Sequence, residues 1–96
     1  MIQHTVSFSL KHSPGSDVEV AFLNAALQLQ QIPGVLDFKR LRQTSEKSPF
    51  QFSLSMYFTN HKDYDAYNAH PIHAKFVEDR WMSEVKEFQE MDFEDY

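Results

Sequence analysis

Three features of the sequence predict an α+β fold. Residues 2–10 and 50–58 alternate apolar and polar side chains strictly, as strands with one buried face do. Between them, residues 17–31 repeat apolar side chains at helical spacing. Beyond them, Tyr67-Asn68-Ala69-His70-Pro71-Ile72-His73 carries a helix break, because Pro71 lacks an N–H and disfavours a helical residue before it. In order, the elements read strand, helix, strand, strand, broken helix, strand. That is the split βαβ, ferredoxin-like arrangement: a four-stranded antiparallel sheet with helices on one face.

In the first strand Ile2, His4, Val6, Phe8 and Leu10 share a face, opposite Gln3, Thr5, Ser7 and Ser9. Pro14 and Gly15 mark a loop, and Ser16 or Asp17 can cap the helix, with Glu19 completing a capping box. Val18, Phe22, Ala25, Leu29 and Ile32 form one helical stripe. Val20, Leu23 and Leu27 form a second, spare one that needs a cover of its own. Pro33-Gly34 ends the helix, residues 35–42 form a weaker strand, and the polar residues 43–49 form a loop. In the third strand Phe50, Phe52, Leu54, Met56 and Phe58 face inward. Thr59 or Asn60 caps a short helix with Tyr64 and Tyr67 on one side. After Pro71, a residue type welcome at the first position of a helix, Ile72, His73, Phe76, Val77 and Arg80 cluster on one face with Trp81 at its margin. Residues 85–93 can form the last strand.

Composition narrows the function. The 96 residues suffice for one domain, spanning the whole chain. A domain of this size buries only about 60–65% of its unfolded surface and is often helped by oligomerisation. A formal net charge of −5 disfavours nucleic acid as a partner. The absence of cysteine removes disulfides, zinc–thiolate sites and thiol nucleophiles, and is compatible with the cytoplasmic location we expect. Met1 runs straight into strand-like sequence, so neither a leader nor a membrane partner is expected. The two glycines stand alone in turns, which excludes a phosphate-binding loop. His70 and His73 are three apart, but Pro71 breaks the helical geometry between them and no third ligand stands near, so no metal site is predicted. His12 and His61 lie in or beside loops, where solvation is expected. Lys39, Arg40 and Arg42 cluster on the second strand, which is more often an edge-strand solubility device than an anion site.

Three polar groups stand out on apolar faces. His4 takes a position suited to Val or Ile, and His73 lies between Ile72 and Phe76 on the inward helix face. The ordinary reading of each is a half-buried histidine with a local hydrogen bond. Polar groups in a core cost about 1–3 kcal/mol each when unpartnered, so two imidazoles and the Tyr67 phenol are explained more economically as lining a cavity. His73 in the first turn of a helix feels the positive end of the helix dipole, which favours its neutral, proton-accepting form.

With these residues the chain resembles the Dabb domains, the stress-responsive α/β-barrel proteins, over nearly its whole length. The resemblance rests on His4-Thr5-Val6, Ile32-Pro33-Gly34-Val35, the aromatic third strand ending at Phe58, Asp65-Ala66-Tyr67 through His70-Pro71-Ile72-His73, Phe76-Val77 and Asp92-Phe93. It implies sheets paired into a dimeric α+β barrel and an apolar pocket between sheet and helices, to which Phe8, Phe52, His70 and Phe76 would contribute. One branch of that family contains cofactor-free polyketide cyclases performing an intramolecular aldol condensation. There the histidine matching His73 is the acid/base, the tyrosine matching Tyr67 orients it or the substrate, and the histidine matching His4 lines the site. Phe52 stands where that branch carries a further pocket histidine, and Leu41 where the family often has glycine.

Two functions are therefore expected to compete. In the first, His73, Tyr67 and His4 perform cofactor-independent acid–base chemistry on a small, mainly apolar carbonyl compound. In the second, the chain is a non-catalytic, stress-associated dimeric binding protein. A redox role stands third, since nothing in the sequence holds flavin or haem. A homodimer is expected in either case. The faces opposite the apolar ones, Gln3, Thr5, Ser7, Ser9 and Gln51, Ser53, Ser55, Tyr57, are polar yet carry no charge, as suits a covered surface.

Overall fold

The computed structural model describes residues 1–96. The strands are β1 (Ile2–Leu10), β2 (Leu36–Arg42), β3 (Phe52–Phe58) and β4 (Val85–Phe93). They form one antiparallel sheet in the order β2-β3-β1-β4. The helices are α1 (Asp17–Ala25), α2 (His61–Ala69), α3 (Pro71–Phe76) and α4 (Met82–Glu84). They lie against one face of the sheet, as predicted.

Local chemistry explains the boundaries. The Ser16 side chain accepts from the Glu19 N–H, and the Glu19 carboxylate reaches back to the Gly15 N–H at 3.0 Å. Glu19 is thereby buried without an orphaned charge. Asn60, not Thr59, caps α2 by accepting from the Asp63 N–H. The first helix tightens to a 3-10 turn over Ala26–Gln31. The rotation brings Ala26 rather than Ala25 into full burial; Val18, in the first turn of α1, is half exposed and lies outside the expected stripe. In the spare stripe, Val20 is exposed, while Leu23 packs against the core. Strand β3 starts two residues later than the alternation suggests, at Phe52. The ladder of β2 and β3 is irregular between Leu36 and Lys39, where Asp37 takes a positive φ of 48°.

The core lies between sheet and helices. Phe8 meets Phe22, Phe52 and Trp81 with ring centroids 5.0–5.8 Å apart. Phe8 and Phe22 are both fully buried, each contributing about 1.5–3 kcal/mol by the area it removes from water.

The segment after Pro71 departs from a regular helix. α3 gives way to a π turn over Val77–Trp81, in which the Met82 N–H bonds the Val77 carbonyl. The extra residue advances the face by one position. Trp81, expected at the margin, takes the inward place, and Arg80 instead turns to the Glu84 carboxylate at 3.3 Å. His12, expected to be solvated, bonds the other oxygen of Glu84 at 2.6 Å. It thereby ties the end of β1 to the start of β4.

Gly34 has a φ of 92°, and a Cβ there would come within 3.2 Å of Asp63 Cβ. Gly15 has a φ of 78° with open space around it. Left-handed backbone costs an L-residue roughly 1–2 kcal/mol. Urea denaturation should show Gly15→Ala destabilised by about that amount and Gly34→Ala by more. Equal losses would show that the Asp63 contact carries no cost.

Candidate functional site

Cross-strand pairing determines what surrounds His4. β1 lies between β3 and β4, with His4 opposite Met56 on one side and Asp92 on the other. Opposite residues in an antiparallel pair project to the same face, so Asp92, Glu90 and Phe88 stand beside His4, Val6 and Phe8 on the helix side. The His4 ring is only 4% exposed as a residue. Its Nδ1 lies 2.7 Å from Asp92 Oδ1 and 2.7 Å from Tyr64 Oη, and the Tyr64 hydroxyl donates to Asp92 Oδ2 at 2.8 Å. Since the phenolic proton goes to Asp92, the Nδ1–H is the donor to the carboxylate. With the ring neutral, Nε2 carries the free lone pair. Burial and the bond to Asp92 push the Tyr64 hydroxyl well above its ordinary range, so it stays protonated.

Above this network lies a cavity of about 260 Å³ between sheet and helices. Val6, Leu29, Leu54, Phe76, Val77, Trp81 and Phe88 give it apolar walls; His4, Tyr67, His73 and Glu90 supply the polar groups. The Pro71 break brings Tyr67, near the end of α2, and His73, in the first turn of α3, to one side of it, with ring centroids 4.7 Å apart. The Tyr67 and His4 rings are 6.0 Å apart. Thus the three predicted acid–base residues meet around one space. Burial lowers the His73 pKa below 6.5 and the His4 ring adds to this, while the Asn68 backbone and Glu90 pull the other way. The neutral form predicted for His73 is therefore favoured, but desolvation is the main cause rather than the helix dipole. Burial raises the Tyr67 hydroxyl well above its usual range, with Glu90 adding to the effect.

Of the four residues expected to line the pocket, Phe76 alone does so. The His70 ring is used locally: Nδ1 accepts from the Ile72 N–H at 3.1 Å and caps α3. Phe8 lies beneath the cavity floor in the packed core, and Phe52 packs against Phe8 under the Arg42 guanidinium.

The chain also matches, over residues 2–95, the model of the stress responsive A/B barrel domain. It belongs to the Dabb family. A Dabb family protein with a ferredoxin-like fold from Mesorhizobium loti is 45% identical, with a TM-score of 0.97 over 99% of this chain and 96% of that one. The fold alone is shared with two more distant structures. A dimeric protein of unknown function from Bacteroides fragilis is 16% identical (TM-score 0.75; 98% of this chain, 95% of that one). The hydroxynitrile lyase of Passiflora edulis is 15% identical (TM-score 0.79; 96% and 90%). No curated protein sequence shows significant similarity to the chain.

In this Dabb protein, sequence reasoning did not assign Tyr64, Asp92, Glu90 and Trp81 to the site. The signal for the first three was the alternation of β4 read against β1, together with the Tyr64–Tyr67 spacing on α2. Trp81 depended on the π turn, which had no such signal. Among described groups of His, Cys, Asp and Glu, none has metal-holding geometry.

The lowered His73 pKa has a direct readout. In an NMR titration, its ring resonances should move with a midpoint below 6.5. The unfolded state then binds the proton first, so His73 penalises folding as pH falls below 6.5 and contributes nothing of this kind above it. A midpoint at or above 6.5 would contradict the desolvated setting.

Proposed function

We propose that the cavity binds a small, mainly apolar carbonyl compound and that His73 moves a proton at the carbon beside the carbonyl. The observation that carries this reading is the convergence of Tyr67, His4 and a His73 biased toward its neutral form on one apolar cavity. A neutral imidazole accepts the proton, and the electron pair of the broken C–H bond moves to the carbonyl oxygen. The Tyr67 hydroxyl, held protonated, donates to that developing oxyanion. His4, fixed through Nδ1 by Asp92 and Tyr64, offers Nε2 to orient the ligand. The enolate is then reprotonated or attacks a second carbonyl of the same molecule, as in an aldol condensation. These steps need only proton transfer from the chain's own side chains, with no cofactor.

Phenylacetone, an apolar ketone with exchangeable α-hydrogens, tests the chemistry by deuterium exchange followed by NMR. The protein should accelerate exchange, His73→Ala should lose roughly 10²–10⁴-fold, the usual worth of a general base, and Tyr67→Phe should be slowed as well. Exchange unchanged in a folded His73→Ala variant would remove the residue from the mechanism. Binding without any acceleration by the wild type would leave the non-catalytic binding protein as the better reading.

The functional unit is read as a homodimer. On the sheet face away from the helices, the central residues satisfy one another. Ser7 Oγ and Ser53 Oγ are 2.6 Å apart, Gln3 donates to Ser55 Oγ at 3.2 Å, and Thr5 donates to the Met91 carbonyl at 2.6 Å. The flanks of the same face are apolar and exposed: Leu41 on β2, Met91 and Phe93 on β4. A polar centre that needs no water and an apolar rim that should lose it suit a second copy packed sheet to sheet. The dimeric relative of the same fold supports this. Sedimentation at micromolar concentration should show a dimer, and Leu41→Asp combined with Met91→Asp should yield a folded monomer. A wild-type monomer under those conditions would refute it.

A further inference from the structure

The walls of the cavity carry one fixed charge, and it is negative. Glu90 lines the space; no lysine or arginine does. The carboxylate lies at the exposed mouth, on edge strand β4, and projects to the cavity side because its cross-strand partner is Val6. Its field reaches inward to Tyr64, Tyr67 and His73. None of the chain's five ion pairs uses it; they engage Asp92, Glu84, Asp37 and Asp79. The histidines do not offset it. His4 is bonded to a second carboxylate behind it, Asp92, and His73 is held toward its neutral form. The aromatic rings of Tyr67, Phe76, Trp81 and Phe88 line the same cavity. The faces of such rings attract a cation, and an anion would find only the neutral donors of Tyr67 and Trp81, with no positive charge to offset Glu90.

We propose that Glu90 selects the ligand by charge, so that the cavity takes small apolar amines, bound as ammonium ions, and turns away carboxylates of the same shape. This rests on the pocket reading above and sharpens it: the carbonyl compound would carry a basic nitrogen rather than an acid group. The ammonium donates to the Glu90 carboxylate at the mouth while the apolar body fills the aromatic space within. A carboxylate ligand would meet Glu90, with Asp92 behind His4, and find no cationic partner. Its rejection is thus built from repulsion as well as from a missing contact.

Trp81 is the only tryptophan and lines the cavity, so its fluorescence reports binding directly. Three probes of nearly equal shape separate the terms: 2-phenylethylamine (a cation near neutral pH), 2-phenylethanol (neutral) and phenylacetate (an anion). The amine should bind at least about tenfold tighter than the alcohol, since charge-assisted hydrogen bonds are roughly twice as strong as neutral ones, and phenylacetate should bind weakest. Glu90→Gln, a change at an exposed position that keeps the shape, should bring the three within about threefold of one another. Equal affinities in the wild type, or an amine preference that survives Glu90→Gln, would overturn charge selection while leaving the pocket standing. Failure of all three to bind, the neutral alcohol included, would overturn the pocket reading itself and this inference with it.

Discussion

An imidazole buried on the apolar face of a sheet must be bonded, and the way His4 is bonded organises the site. Left unpartnered, that ring would cost about 1–3 kcal/mol, a large share of the stability of a domain this small. Asp92 answers it from β4 and Tyr64 from α2, each oxygen of the carboxylate taking one donor. Three elements distant in sequence are thereby fixed to one another around the central strand. The link matters most for β4, whose residues are exposed apart from Val85. That strand is held by its backbone ladder to β1 and by side chains such as these rather than by core packing. The wall of the cavity formed by Phe88 and Glu90 therefore owes its placement partly to a polar contact one step further along the strand.

The opposite wall is set by two interruptions in what would otherwise be a single helix. At the first, Pro71 stops α2 and His70 caps α3, so Tyr67 and His73 face each other across a corner. At the second, the π turn over Val77–Trp81 admits one extra residue and delivers an indole where a regular helix would deliver Arg80. A guanidinium in that place would oppose Glu90 and fill the space with charge. The displaced Arg80 pairs with Glu84, which also receives His12, so the irregular turn is anchored at its outer end. Irregular helical geometry here has a definable product: an aromatic wall in place of a cationic one.

The parts of the structure legible in the sequence come from periodicity, and the hidden parts come from register. Strict alternation gave β1 and β3 and placed His4 on the helix side; the proline gave the corner between Tyr67 and His73. Those signals are local. Asp92 and Glu90 become site residues only when β4 pairs with β1 so that His4 meets Asp92, and a slip of one residue would send both to the other face. No local pattern contains that register. Tyr64 was visible as a neighbour of Tyr67 on α2, but its bond to Asp92 depends on the same pairing. Phe8 and Phe52 were expected at the ligand from the family resemblance. The apolar face is long, however, and the cavity occupies only its His4 end, leaving Phe8 to pack with Phe22 and Trp81 and Phe52 to pack against Phe8. The capping role of His70 was likewise hidden, since a histidine beside a helix break reads the same whether its ring turns to a ligand or to its own backbone.

The acid–base chemistry proposed for the cavity rests on a single cause acting on two residues in opposite senses. Desolvation disfavours whichever form is charged. For His73 that is the protonated form, so burial keeps the base free; for Tyr67 it is the phenolate, so burial keeps the donor protonated. A base without its proton and an acid with its proton can therefore coexist in one mainly apolar space over a common pH range, without either having to be charged in the resting state. Glu90 modifies this asymmetrically. Its negative charge strengthens the protonated state of Tyr67, while it partly offsets the loss of basicity at His73. The second effect is useful to the proposed proton transfer, because a base too weak to hold a proton cannot remove one. A carboxylate at the mouth of an apolar cavity is thus compatible with the acid–base pair deeper inside, and its cost in desolvation is limited because it remains in contact with water.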